Sequence, residues 1–199
     1  MTYQEQTYIR KAEPEDARDL AQLIDIAGEG IPSWLWAQSS TSEKTPLDVG
    51  AERARREEGG FSYRNALLAV SGVRPLGMVL SYPIEKMSTE DPKDLPKPIV
   101  PFVELETLSV GTWYVNALAV FAGVRSNGVG SRLLKAAENL AIEAAYKSMS
   151  IQVYSQNTGA VQLYERLGFK ETARSKVRDH PCQPYYNEDV LLLIKNLRG

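Results

Sequence analysis

The sequence predicts a mixed α/β fold in which a central, mostly antiparallel sheet is flanked by helices. Early apolar segments, Asn65 to Val70 and Leu76 to Ile84, are separated only by Ser71-Gly72-Val73-Arg74-Pro75, which suits an antiparallel hairpin. Later apolar segments alternate with stretches of helical periodicity, the pattern of a sheet with helices on its faces. At 199 residues, 43% of them apolar and 24% charged, the chain is long enough for one sizeable core and short for two ordinary domains. A single domain over residues 1–199 is expected.

In order, Tyr8 to Arg10 reads as a short strand. Pro14 opens a helix whose Leu20, Leu23, Ile24 and Ala27 follow the i, i+3, i+4, i+7 spacing of one apolar face. Between Gly28 and Gly60 the periodicity loosens into a peripheral flap, in which Asp48 can cap a short helix running through Glu58 to the Gly59-Gly60 stop. After the hairpin, Pro92, Pro96, Pro98 and Pro101 lie among charges, and residues so poor in ladder donors cannot form a central strand. An ordered excursion or a mobile lid is expected there. Trp113 to Val120 is a near-continuous apolar strand. Beyond the turn at Phe121 to Asn127, Leu133, Ala137, Leu140, Ala141 and Ala144 share one side of a helix. Met149 to Tyr154 reads as a strand and Thr158 to Leu167 as a helix ended by Gly168; Val177 and Val190 to Ile194 belong to closing strands.

Composition excludes several classes. A formal net charge of −2 supplies no global field for a nucleic acid. No apolar run approaches the roughly 20 residues that a membrane span needs. The first residues, with Glu5, Arg10 and Lys11, lack the build of a secretory signal, so a cytoplasmic location is expected. Cys182 and His180 are the only cysteine and the only histidine, too few for a disulfide or a zinc site.

The chemistry concentrates in Arg125-Ser126-Asn127-Gly128-Val129-Gly130, between a buried strand and a helix start. Glycines admit a ligand to the backbone, a helix N-terminus offers unpaired N–H groups, and Arg125 adds a planar cationic fork, so the turn suits a pyrophosphate. A nucleotide-triphosphate loop needs Gly-Lys-Ser/Thr, whereas Ser131-Arg132 follow Gly130; a dinucleotide fingerprint needs a third glycine where Leu133 stands. The bland alternative is a glycine turn that eases a helix against a strand.

Arg125-x-x-Gly128-x-Gly130 resembles the Arg/Gln-x-x-Gly-x-Gly/Ala signature of the GNAT (Gcn5-related) N-acetyltransferases. Asn157 with Leu163-Tyr164-Glu165-Arg166-Leu167-Gly168-Phe169 resembles their Asn…LYxxxGF block. The resemblance is strongest over residues 113–170, and residues 28–60 and 86–112 fall outside it as insertions expected to shape the acceptor site. It implies an acyl-CoA N-acyltransferase fold and acetyl-CoA as cofactor. It further implies that the backbone of Leu118, Ala119 and Val120 meets the pantetheine arm where two strands splay. Arg125, Ser126, Asn127, Gly128, Val129, Gly130 and Ser131 would hold the pyrophosphate, and Asn157 would touch the arm. Tyr164 matches a tyrosine that the family often places near the thiol sulfur. A phenol protonated at neutral pH can serve as general acid there, though a tyrosine on this helix can equally pack against the sheet.

Where the subgroup acetylating protein N-termini often has a glutamate base, this chain has Gln152, which cannot accept the amine proton. Glu104, Glu106 or a water held by Asn116 stand as candidate bases, with a solvated loop face as the plain alternative for both glutamates. His180-Pro181-Cys182 reads as a loop and not as a nucleophile pair, Trp34 and Trp36 as packing residues, and Arg53, Arg55 and Arg56 as balanced by Glu52, Glu57 and Glu58.

The leading expectation is direct acetyl transfer to an amine, either a small molecule or a protein N-terminus, with the oxyanion stabilised by a strand N–H near Val120. A non-catalytic acyl-CoA-binding module and a partner-recruiting domain built on residues 92–101 are the alternatives. Oligomeric state stays open, with a homodimer among the options because symmetric dimers are common.

Overall fold

The computed structural model describes residues 7–87 and 93–197. Glu5, Pro92 and the rest of residues 88–92 of the proline-bearing excursion lie outside them. Seven strands stand in the order β1-β2-β3-β4-β5-β7-β6, and the fold is mixed α/β with flanking helices. Contacts divide the chain into two compact units, residues 1–81 with 117–137 and residues 82–116 with 138–199.

In the first unit, β1 (Tyr8–Lys11) pairs antiparallel with β2 (Ala66–Ser71), which pairs antiparallel with β3 (Arg74–Pro83). Ser71 faces Arg74, so the hairpin loop is Gly72-Val73. Gly72 takes the left-handed φ of 58° that a tight turn demands. The register slips between Ala69 and Val70, opposite Gly77 and Pro75, a natural place for a bulge because Pro75 has no N–H to donate.

A 3₁₀ turn at Pro14–Asp16 leads into α1 (Ala17–Ala27), whose Leu20, Leu23 and Ile24 are buried as their spacing predicts. Arg10 clamps Asp16 through two 2.7 Å bonds, one to each carboxylate oxygen. The stretch expected to be a loose flap instead holds α2 (Ile31–Ala37) and α3 (Pro46–Arg55). Trp36 is buried, and a Cβ on Gly50 would lie 2.5 Å from its ring, so Gly50 is what lets the indole seat on α3. Thr45, not Asp48, is the N-cap of α3. Asp48 sits three residues on, closing the box by accepting the Thr45 N–H at 3.0 Å, and the helix stops at Arg55, before Glu58.

In the second unit the described part of the excursion is ordered. The proline-rich excursion folds into a 3₁₀ turn at Lys97–Ile99 and α4 (Val100–Glu106), because Pro98 and Pro101 occupy first-turn positions that need no N–H. β4 (Trp113–Val120) and α5 (Val129–Glu143) run through both units. β5 (Ser148–Tyr154) pairs parallel with β4 from Trp113↔Met149 to Val115↔Ile151, and antiparallel with β7 (Asp189–Asn196). β6 (Lys170–Lys176), antiparallel to β7, has no apolar pattern in the sequence because it is a sheet edge, where exposed charges are favourable. Val177 follows it, buried, its N–H donating to the Glu188 carbonyl at 3.0 Å. Ala144 is exposed beyond the end of α5, which Ala145 closes at φ 61°. α6 (Thr158–Arg166) ends as expected before Gly168, at φ 92°.

Candidate active site

The first unit carries the anion-ready turn. β4 ends at Val120, and Phe121 donates its N–H to the Leu76 carbonyl at 2.9 Å, which fixes where the chain leaves the sheet. A 3₁₀ turn over Ala122–Val124 then reverses the chain. Ser126 and Gly128 both take left-handed conformations, φ 64° and 75°, and Gly128 has nothing within 4 Å of the space its Cβ would fill. α5 begins at Val129, and Arg132 N–H to Gly128 carbonyl, 3.1 Å, is an early helical bond. Helix geometry leaves first-turn N–H groups without an intrahelical acceptor, here at an exposed turn.

Arg125 folds back so that its Nε donates to the Val120 carbonyl at 3.2 Å, holding the exposed guanidinium beside the end of β4. Asn127 braces the turn internally, its Nδ2 reaching the Val124 carbonyl at 3.4 Å. Leu118, Ala119 and Val120 lead directly into this turn, and Ala119 is buried. Gly77, which sequence reasoning did not single out, lies against them. A Cβ there would come within 2.6 Å of the Ala119 oxygen and 3.1 Å of Val120 Cα, so β3 approaches this strand end closely only because residue 77 has no side chain. The open glycine, the first-turn donors and the arginine fork together fit a pyrophosphate.

The second unit holds the other expected residues. Asn157 is the N-cap of α6, its side chain accepting the Ala160 N–H at 3.3 Å. Tyr164 is buried, 5% exposed, with its ring 6.2 Å from that of Phe169 at 61°. Burial alone pushes its phenol well above the ordinary value, so it is a neutral O–H donor across the physiological range. A phenol of that kind donates a hydrogen bond more readily than a full proton.

Glu104 and Glu106 lie on α4 and not on a loop. Glu104 accepts from Ser175 Oγ and, at 3.2 Å, from Arg178. Glu106 acts electrostatically on the phenols of Tyr82 and Tyr114, both of which also hydrogen-bond Asn116, a grouping that no local sequence pattern announces. Gln152 donates from Nε2 to the Phe102 carbonyl at 3.1 Å. His180 Nδ1 accepts the Cys182 backbone N–H at 3.2 Å, the bond of a loop, and burial pushes the Cys182 thiol up, away from the thiolate a nucleophile needs. Among the described residues no three His, Cys, Asp or Glu side chains group to hold a metal, and no helix is long and apolar enough to cross a membrane.

The Acetyltransferase (GNAT) family profile matches residues 29–169. A peptidyl-lysine N-acetyltransferase, YjaB of Salmonella typhimurium, is 38% identical over 66 residues, which span 33% of this chain and 42% of that protein. Among solved structures, an agmatine N-acetyltransferase mutant superposes with a TM-score of 0.68 at 17% identity, covering 96% of this chain and 99% of the other. YncA of Salmonella typhimurium, described as a putative acetyltransferase with its cofactor acetyl-CoA, gives 0.63 at 16% identity over 97% and 95%. A ribosomal-protein-alanine N-acetyltransferase from Brucella melitensis gives 0.64 at 18% identity over 96% and 99%. The seven-stranded fold with its strand-turn-helix is thus that of acetyltransferases. The chain belongs to the Acetyltransferase (GNAT) family.

Proposed function

We propose that the chain transfers the acetyl group of acetyl-CoA directly to an amine. The turn from Arg125 to Ser131 holds the pyrophosphate, and the backbone of Leu118, Ala119 and Val120 takes the amides of the pantetheine arm. Acetyl-CoA supplies, when bound, an activated thioester that an amine nitrogen can attack without help from a protein nucleophile. An N–H at the end of β4 steadies the charge that grows on the carbonyl oxygen, and Tyr164 hydrogen-bonds the departing sulfur. Asn157, held in place by its cap bond to Ala160, completes the arm contacts.

The observation that carries this reading is the turn itself. Ser126 and Gly128 in left-handed conformations at the start of α5, with Arg125 tied to the Val120 carbonyl, make a cradle for an anion and serve no evident packing purpose. A cytoplasmic location, expected from the sequence, is compatible with the reading. The acceptor is a small-molecule or peptide amine. Calorimetric titration of the protein with acetyl-CoA, followed by thiol release with a panel of amines, tests it. Micromolar binding with amine-dependent thiol release is expected; absence of acetyl-CoA binding by the folded protein would refute the reading, and binding without thiol release would favour the non-catalytic module.

A further inference from the structure

Within the second unit lies a polar cluster that packing alone does not require. Tyr82 of β3 and Tyr114 of β4 meet edge to face, their ring centroids 5.9 Å apart at 81°. Asn116, two residues along β4, hydrogen-bonds both phenols with its side chain, and the Glu106 carboxylate at the end of α4 acts on both electrostatically. Burial is the chief cause that raises both phenols, which therefore stay neutral.

Gln152 belongs to the same face of the sheet. Tyr114 is the cross-strand partner of Ser150, and side chains alternate along each strand, so Asn116 follows Tyr114 and Gln152 follows Ser150 on one side. Helix α4 is fastened to that side. Gln152 Nε2 donates to the Phe102 carbonyl, and the Phe102 ring stands 5.4 Å from Tyr154 at 87°. Phe102 and Glu106 are four residues apart in the helix and share a face, so the helix face that meets the sheet is the one that carries Glu106. Gln152 Oε1 is buried and has no hydrogen-bond partner. An orphan acceptor of that kind costs about 1–3 kcal/mol unless a donor arrives.

We propose that this face receives the acceptor as a primary amine, with Gln152 Oε1 accepting one of its N–H bonds and the Glu106 carboxylate taking its proton. The inference rests on the acetyl-transfer reading above. An incoming ammonium has no lone pair, so Glu106 first removes one proton and becomes the carboxylic acid. The nitrogen then forms the C–N bond as the C–S bond breaks. Sulfur leaves with the electron pair and gains a proton as nitrogen loses one, and Glu106 returns its proton to water. The balance is an ammonium and a thioester in, an amide, a thiol and one proton out. Two aromatic rings beside a carboxylate also favour a cation at this position. Gln152, where a glutamate base was looked for, positions the amine, and the base has moved to the neighbouring helix.

The test uses the full chain with acetyl-CoA and three probes: butylamine, spermidine and a peptide with a free N-terminus. In Glu106→Gln and Glu106→Ala, kcat/KM for the amine that wild type uses best should fall by about 10²-fold or more, with acetyl-CoA affinity unchanged by calorimetry. Formate should restore part of the Glu106→Ala loss, which a structural role for the carboxylate would not allow. Wild-type-like kinetics in Glu106→Gln, or a loss that formate leaves untouched, would overturn the proposal. If wild type binds acetyl-CoA but uses none of the three amines, its hydrolysis by water becomes the readout; slower hydrolysis in Glu106→Gln supports the assignment and equal hydrolysis overturns it. If wild type does not bind acetyl-CoA, the acetyl-transfer reading falls first and this inference with it. Should neither Glu106 variant fold, Gln152→Met decides: a folded protein with amine kcat/KM reduced and acetyl-CoA affinity intact supports the site, and unchanged kcat/KM removes it.

Discussion

The proposed cofactor turn draws its groups from one continuous stretch, residues 118–131, whereas the proposed acceptor face collects Tyr82, Glu106, Tyr114, Asn116 and Gln152 from β3, α4, β4 and β5. The turn works through backbone: left-handed residues, first-turn N–H groups and an absent side chain at Gly77. The face works through side chains, which must be brought together by strand register and by the placement of one short helix. Backbone recognition of an anion is tolerant of sequence outside a few glycines. Side-chain recognition of an acceptor changes with every substitution, so likeness to agmatine, peptidyl-lysine and ribosomal-protein-alanine acetyltransferases leaves the amine open.

If that division holds, side-chain variants should change turnover and backbone variants should change affinity. The largest effect is expected at Tyr164. Tyr164→Phe removes one hydroxyl and keeps the ring against Phe169, so loss of its hydrogen bond to the departing sulfur should lower turnover by about 10²- to 10³-fold while acetyl-CoA affinity stays within twofold. Steady-state thiol release beside calorimetry reads both. A variant with normal turnover and a lowered melting temperature would make Tyr164 a packing residue and withdraw it from the chemistry. Because burial raises this phenol, no loss of rate between pH 6 and 9 should trace to its ionisation, and a profile that is unchanged in Tyr164→Phe over that range checks this.

Next comes Gly77. A valine there must push against the Ala119 oxygen, 2.6 Å from where its first carbon would lie, and overpacking against backbone costs about 1–3 kcal/mol. Acetyl-CoA affinity should fall by about tenfold or more as Ala119 and Val120 shift, together with a lower melting temperature. Gly130→Val should act on affinity alone. It crowds the backbone that approaches the pyrophosphate and should weaken binding by about tenfold, or roughly 1.4 kcal/mol, with the fold intact. An unchanged dissociation constant in a folded Gly130→Val protein would detach the turn from the cofactor.

The sequence made the turn legible for the same reason that it hid the acceptor face. Arg125, Gly128 and Gly130 announce their role by spacing within six residues, and helix α5 by the period of Leu133, Ala137 and Ala141. Glu106 had no such context. Its helix is announced by prolines, which read as breakers until Pro98 and Pro101 are seen to occupy first-turn positions, and Tyr114 reads as one more apolar residue in a buried strand. β6 was invisible because an edge strand with Lys170, Glu171, Arg174 and Lys176 keeps its charges in water. The cap of α3 lies three residues before the expected Asp48 because Thr45 and Asp48 cap each other, and either looks sufficient alone.

Asn157 lies on the boundary between the two modes, and the smallest expected effect is the most discriminating. Its side-chain oxygen caps α6 by accepting the Ala160 N–H, while its amide N–H groups are what could serve an arm of amide character. Asn157→Ala deletes both functions, and loss of a cap should cost about 1 kcal/mol of stability. Asn157→Asp keeps a cap oxygen and places a negative charge at a helix N-terminus, where it is favourable, but has no N–H to donate. If the residue serves only the helix, thermal unfolding should separate the two variants and acetyl-CoA titration should not: the alanine protein melts lower, the aspartate protein does not, and both bind as wild type does. If the amide also serves the cofactor, both should bind acetyl-CoA a few-fold more weakly, the aspartate variant at undiminished stability. Weaker binding in the alanine variant alone would mean that affinity follows the integrity of α6, and Asn157 would then count as a backbone support like Gly77 and not as a contact.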